Sequence, residues 1–176
     1  NTPIFISSLD KDLYQCVNDR VHIVKKWGSS KDPLKNAELV DIQGVCEKFN
    51  GTEPKHLAKF RAITGDQSDN LKGYFRFPKK HASIIANHCE IRNNQLVPQE
   101  PNNFLRDYPK SQDYLDKINN DYGTFKKNYS IMRLKDFDYE LEIPDRGNAL
   151  DLLNIFKLNM YKRELNALNG WDLYVD

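Results

Sequence analysis

The chain has 176 residues, with 26 Lys plus Arg against 25 Asp plus Glu and a formal net charge of +1. That fits one domain or one large lobe of an enzyme and excludes a polybasic or polyacidic tail protein. Apolar residues make up 39% and charged residues 29%, so the chain holds enough apolar side chains for one core and does not read as disordered.

Residues 4–6, Ile-Phe-Ile, form a short apolar run of the kind found in a buried parallel strand. Ser7-Ser8-Leu9-Asp10 follow as a tight turn, and residues 10–18 leave room for only a short helix. Residues 21–26 predict a second strand, so the opening unit is a β-α-β with parallel strands. A chain that opens on a central strand is expected to be the C-terminal part of a larger α/β fold. Its start, NTPIFISS, has neither the basic residues nor the long apolar stretch of a signal peptide, and no apolar run approaches membrane length.

The segment WGSSKDP is a loop by composition. Residues 38–49 carry Leu39, Ile42, Val45, Cys46 and Phe49 at helical spacing, closed by Asn50-Gly51. Pro54 opens the next helix, whose apolar face is Leu57, Phe60 and Ile63. A turn-rich basic segment leads to a helix over 82–89, then to a loop over 93–103. Residues 111–125 predict an amphipathic helix, 129–134 and 139–143 short extended pieces, and 149–168 a long helix. Cys16, Cys46 and Cys89 show no CxxC and no Cys/His metal spacing, which argues against zinc and for a reducing cytoplasm. Cys16 and Cys46 are expected to be buried thiols.

Three constellations carry chemistry. Asp10 and Asp12 lie two apart at the C-terminal end of the first strand, the edge where open α/β sheets place ligands. They suit a hard cation, or they cap and polarise the short helix. Asp66 and Asp69 lie three apart in the turn Gly65-Asp66-Gln67-Ser68-Asp69-Asn70, where they meet a ligand or simply cap the turn. Residues 72–81 hold Lys72, Arg76, Lys79, Lys80 and His81 with three aromatics and no acid. Such a loop grips phosphates, or it is a solvated turn with its rings in the core. His22, His56 and His88 show no ligand spacing. Lys126, Lys127, Arg133 and Lys135 read as a solvated face, Trp27 and Trp171 as packing or rim residues.

In this order the three constellations resemble the 5′-nuclease family, which includes the 5′→3′ exonuclease domain of bacterial DNA polymerase I, phage 5′ exonucleases and flap endonucleases. ISSLDKDLYQCVNDRVHIV is similar to its strand and D-x-D segment. FNGTEPKHLAKFRAITGDQSDNLKG is similar to the stretch entering its helix-three-turn-helix motif, with the signature G-D-x-x-D-N. The resemblance is specific over about residues 4–82. It implies an α/β fold: part of a mostly parallel central sheet over 1–37, a helix-three-turn-helix DNA-binding region over 38–92, and over 93–176 a C-terminal helical region whose short strands pack back on the core.

The resemblance further implies that Asp10, Asp12, Asp66 and Asp69 are catalytic and hold Mg2+ or Mn2+, two ions in a complete enzyme. Lys72, Gly73, Arg76, Lys79, Lys80 and His81 would contact DNA. The substrate would be a 5′ flap, a branched or 5′-ended duplex, or an RNA–DNA hybrid, in replication or repair within a bacterial or phage-infected cell. The family's G-x-P-G-x-G turn is not kept after Gly73, so the resemblance does not extend to a monovalent-cation site. Two other readings stand: a non-catalytic DNA-binding module, and one half of a split nuclease completed by an N-terminal partner chain.

Overall fold

The computed structural model describes residues 2–28 and 34–135. The strand expected over 139–143 and the helix over 149–168 lie outside the described residues. Strand β1 (Ile4–Ser7) pairs in parallel with β2 (Val21–Lys26), Ile4 opposite Val21 and Ser7 opposite Val24. Between them runs a short 3₁₀ turn, Asp12–Cys16, whose Tyr14 is buried along with the following Val17. The β-α-β unit is therefore as expected.

The sheet is not mostly parallel. Strand β3 (Glu38–Val40) joins β2 antiparallel, giving the order β1-β2-β3 and a small mixed sheet. β2 is the central strand, with Ile23 and Val24 both buried, and β1 is an edge with Ile4 47% exposed. The helix expected from residue 38 starts later because Asp41 caps it. The Asp41 carboxylate accepts from Gly44 N–H at 2.8 Å and sets the start of α1 (Ile42–Lys48). At the other end Asn50 and Gly51 turn left-handed (φ 57° and 83°), and Gly51 N–H donates to the Cys46 carbonyl at 2.7 Å. That is a Schellman closure.

Pro54 opens a 3₁₀ turn, Pro54–His56, that runs on into α2 (Leu57–Thr64). Helix α2 is enclosed: Leu57, Ala58, Phe60, Ala62 and Ile63 are buried, and so are Lys59 and Arg61. A two-residue hairpin, β4 (Gly65–Asp66) with β5 (Leu71–Lys72), connects it toward α3 (Lys79–His88).

The next stretch differs from the expected loop. Strands β6 (Cys89–Arg92) and β7 (Gln95–Pro98) form a hairpin closed by Asn93-Asn94, both with positive φ (48° and 57°). Asparagine tolerates that conformation, so two adjacent asparagines make the tight turn. Helix α4 (Pro101–Asp107) follows. The single amphipathic helix expected over 111–125 is two helices, α5 (Pro109–Asn120) and α6 (Tyr122–Met132), broken at Asp121. Tyr74 Oη donates to the Asp121 carbonyl at 2.7 Å, a tertiary bond at the break. Residues 129–132, expected to be extended, are helical. Cys16 and Cys46 are half-buried, while Cys89 is the buried thiol.

Two polar side chains, Asn128 and Gln15, tie α6 to the rest of the fold. Asn128 donates to the carbonyls of Ala62 (3.0 Å) and Lys72 (2.9 Å), joining α6 to α2 and to β5. Gln15 Nε2 donates to the Met132 carbonyl at 2.8 Å. The core runs continuously from Tyr14 and Ile23 through α2 and α3 to Leu115, Ile118 and Phe125. Among the described residues no helix is long and apolar enough to cross a membrane.

Candidate functional site

The site forms where α2 ends. Gly65 leaves the helix with φ 77°, a left-handed conformation that suits glycine. A Cβ there would meet Gly73 N at 2.3 Å and the Leu71 carbonyl oxygen at 2.6 Å. A Cβ on Gly73 would in turn meet Thr64 C at 2.2 Å. The two glycines let the hairpin backbones lie directly against the end of α2. Gly73, expected to contact DNA, thus has a packing role in this fold.

This tight exit carries Asp66 and Asp69 back over the last turn of α2, where Arg61 waits. The Arg61 guanidinium is 4% exposed and forms ion pairs with Asp12 through Nη1, with Asp66 through Nη2, and with Asp69 through Nη2 at 3.3 Å. Asp12 comes from the 3₁₀ turn after β1, more than fifty residues before Asp66 in the chain. Asp10 stands beside the cluster, its carboxylate accepting from Asp12 N–H at 2.9 Å. Ser8 Oγ accepts from Asp10 N–H at 3.0 Å. Asp66 also accepts from Ser68 N–H at 2.8 Å, which shapes the turn. Burial pulls the Arg61 pKa down, and the charges of Asp69 and Asp10 push it back up.

The two acidic pairs therefore meet in space, and Arg61, which sequence reasoning passed over, sits at their meeting point. One signal pointed to it: an arginine inside the apolar run Phe60-Arg61-Ala62-Ile63 needs a counter-charge if buried. Among the described residues no three Asp, Glu, His or Cys side chains stand as a preformed metal site. The donors suit a hard divalent cation in kind, since they are carboxylates alone. In the present arrangement their oxygens are engaged by Arg61, so a cation bound by Asp12, Asp66 and Asp69 competes with the guanidinium for them.

The basic loop borders the same place. A cleft of about 430 Å³ is lined by Arg61 and Asp66 together with Lys11, Lys48 and Lys79. An adjoining hollow of about 560 Å³ runs along Gly65, Asp66, Lys72 and Gly73 to Phe75. Lys79 and Lys80 are exposed at the start of α3, whose cap, Pro78, offers no side chain to the first N–H groups. Arg76 is exposed with φ 50° and lies 5.0 Å over the ring of Phe75, itself 87% exposed. Tyr74 and Phe77 turn inward, Phe77 packing on Tyr114 at 5.1 Å, and burial pushes the Tyr74 hydroxyl up to about 12. His81 is taken up by packing: Nδ1 lies 2.9 Å from Ser111 Oγ and the ring stacks on Tyr114 at 4.4 Å. Burial and the nearby Lys80 and Lys110 lower its pKa.

No family model matches the chain. It is 31% identical over 123 residues to a 5′-3′ exonuclease of Mycoplasmopsis pulmonis, covering 65% of this chain and 39% of the relative. A 5′-3′ exonuclease of Aquifex aeolicus is 26% identical over 165 residues, 93% of this chain and 50% of the relative. The thermostable DNA polymerase I of Thermus aquaticus is 40% identical over 68 residues, 39% of this chain and 7% of that one. The chain spans half or less of the length of these relatives. Among solved structures, the T5 D15 protein co-crystallised with metal ions gives a TM-score of 0.46 at 14% identity, covering 74% of this chain and 42% of that one.

Proposed function

The chain is related by sequence to the 5′-3′ exonuclease family, and on that premise we propose that it carries the DNA-gripping and part of the metal-binding half of a divalent-metal-dependent, structure-selective 5′ nuclease. One observation carries the reading: Asp12, Asp66 and Asp69 converge on Arg61, which with Asp66 and Lys79 lines one cleft. Asp10, Asp12, Asp66 and Asp69 would hold Mg2+ or Mn2+, which when bound activates water and stabilises the leaving oxygen. The chain's own contribution is placement. The helix–hairpin–helix unit of α2, β4–β5 and α3 acts as the helix-three-turn-helix element within residues 38–92, although β3 ties residues 38–40 to the core sheet. Lys79 and Lys80, with the uncapped N–H groups of α3, hold backbone phosphates beside the carboxylates. Lys72 and Arg76 extend that contact, while His81 braces α3 against α5.

The substrate in this reading is DNA with a 5′ flap, branch or 5′ end, gripped through phosphates, with weak sequence preference and strong salt dependence. The setting is replication or repair in the cytoplasm of a bacterial or phage-infected cell. A cleavage assay on a 5′-flap duplex with Mg2+, with and without a fragment supplying the N-terminal half of a relative, tests it. Cutting that is lost in the Asp66→Asn/Asp69→Asn variant supports the assignment. Equal cutting by that variant removes Asp66 and Asp69 from the chemistry and overturns the metal assignment.

Arg61 favours a second reading. Its guanidinium offsets part of the charge of three carboxylates, and Lys11, Lys48 and Lys79 line the same cleft, which lowers the repulsion of phosphate, so the fold would also serve as a DNA-binding module without hydrolysis. Tight flap binding, with no cleavage under any complementation, would establish that module instead.

A further inference from the structure

The other side of α2 presents a second charged surface. A groove of about 770 Å³ opens between the start of α2, the β6–β7 hairpin and α6. Lys55, Lys59, Lys126, Arg133 and Lys135 line it, against Glu90 as its one acid. Glu90 is engaged by Arg92, and Lys55 pairs with Glu53 at 2.9 Å. Among the described residues no carboxylate lies within ion-pair distance of Lys59, Lys126, Arg133 or Lys135.

Helix α6 organises this wall. Tyr122, Lys126 and Tyr129 fall at i, i+4 and i+7, which places ring, cation and ring on one face over about 10 Å, and Arg133, the extended residue that ends the helix, lines the same groove. Both tyrosines are anchored on Phe125, at 5.4 and 5.5 Å between ring centres. Across the groove Lys59 is 8% exposed and donates to the Cys89 carbonyl at 2.5 Å. Burial lowers Lys59 to about 8. Burial, with Lys59 and Lys55 close by, lowers His56 to about 4.

We propose that this groove binds the sugar–phosphate backbone of a single nucleic-acid strand, with the cations on phosphates and the tyrosine edges beside bases. The presence of an anion site rests on the groove itself; the choice of a polynucleotide rests on the nuclease reading. The groove lies on the opposite side of α2 from the acidic cleft, so one strand could be held there while phosphodiester chemistry proceeds at the other side.

The test measures binding of a fluorescent oligothymidylate to the full chain in EDTA, as a function of salt. Lys126→Gln/Arg133→Gln/Lys135→Gln alters exposed side chains only. It should weaken binding about tenfold at low salt and flatten the log–log salt slope by about 2, since each phosphate contact on a single strand contributes about 0.7. In the wild type, saturating oligonucleotide should raise the midpoint of the His56 ring-proton titration, where the facing charges are Lys59, Lys55, Glu53 and His88. The triple variant should show no such rise. Unchanged affinity and slope in the triple variant, or an unmoved His56, overturns the proposal. So does binding to acidic phospholipid vesicles with none to the oligonucleotide. Strand binding without flap cleavage under any complementation would overturn the nuclease reading and leave the groove standing; flap cleavage by a complemented triple variant that binds as tightly as wild type would do the reverse.

Discussion

Arg61 and Lys59 are two residues apart on one short helix, and both are buried, yet their surroundings are opposite. Arg61 meets three carboxylates; Lys59 meets one backbone carbonyl. Side chains two apart on an α-helix point to opposite sides. Helix α2 therefore separates two charged surfaces, an acidic cluster partly offset by one cation and a groove whose cations are largely unbalanced. A near-zero net charge hides this, because the two excesses cancel in the sum and not in space.

The largest expected effect breaks the acidic side. Arg61→Ala leaves three neighbouring carboxylates without their counter-charge and should cost about 3–5 kcal/mol in urea unfolding at neutral pH. Arg61→Lys should lose less, because it keeps the charge and gives up the forked geometry. If Arg61→Ala unfolds at the wild-type midpoint, the cluster does not hold the hairpin. The hairpin itself is probed by Gly65→Ala, which combines a left-handed φ with backbone atoms inside contact distance. It should destabilise by more than about 1 kcal/mol, read in the same urea experiment.

A smaller effect sharpens the other side. Lys59 titrates at about 8 in the folded protein against 10.5 as its ordinary value. Between those values the unfolded chain holds a proton that the folded one has released, so this group's contribution to stability rises with pH from about 8 to 10.5. Tyr74 and Cys89, both raised to about 12, act in the opposite direction above their ordinary values. The difference in stability between wild type and Lys59→Met isolates the lysine: it should change with pH across that window and stay flat below it. A flat difference throughout would mean that Lys59 is solvated rather than buried. His56, lowered from 6.5 to about 4, gives the acid-side analogue. Its contribution is fully present above 6.5 and is lost as pH falls toward 4, a decline that His56→Gln should remove.

Metal binding compares the two readings of the acidic cleft. If a divalent cation and Arg61 share the same oxygens, Arg61→Gln should bind Mn2+ several-fold more tightly than the wild type, measured calorimetrically without substrate. Equal or weaker binding would separate the guanidinium from the metal donors.

Much of the local structure was legible. The run Ile4-Phe5-Ile6, the left-handed pair Asn50-Gly51, and Pro54 ahead of Leu57 each specify a local conformation through their own sterics, and each takes that conformation, although the strand at 4–7 lies at the edge of the described sheet and not buried at its centre as expected. The mixed sheet was not legible, because a three-residue strand at Glu38–Val40 shares its apolar residues with the helical pattern that follows, and only pairing with β2 decides between them. The Asn93-Asn94 hairpin carried a local turn signal that the surrounding Gln and Pro residues masked.

The sequence by itself determined which side chains are available to the site: four aspartates in two short motifs, and a basic loop after them. The tertiary structure decided what they meet. Burying α2 brings Arg61 among carboxylates from distant segments, and the same burial turns Lys59 the other way, toward the face on which α6 presents its tyrosines and cations. Local propensity acts over a few residues, whereas the electrostatic environment of a buried charge is set by whatever the fold packs around it.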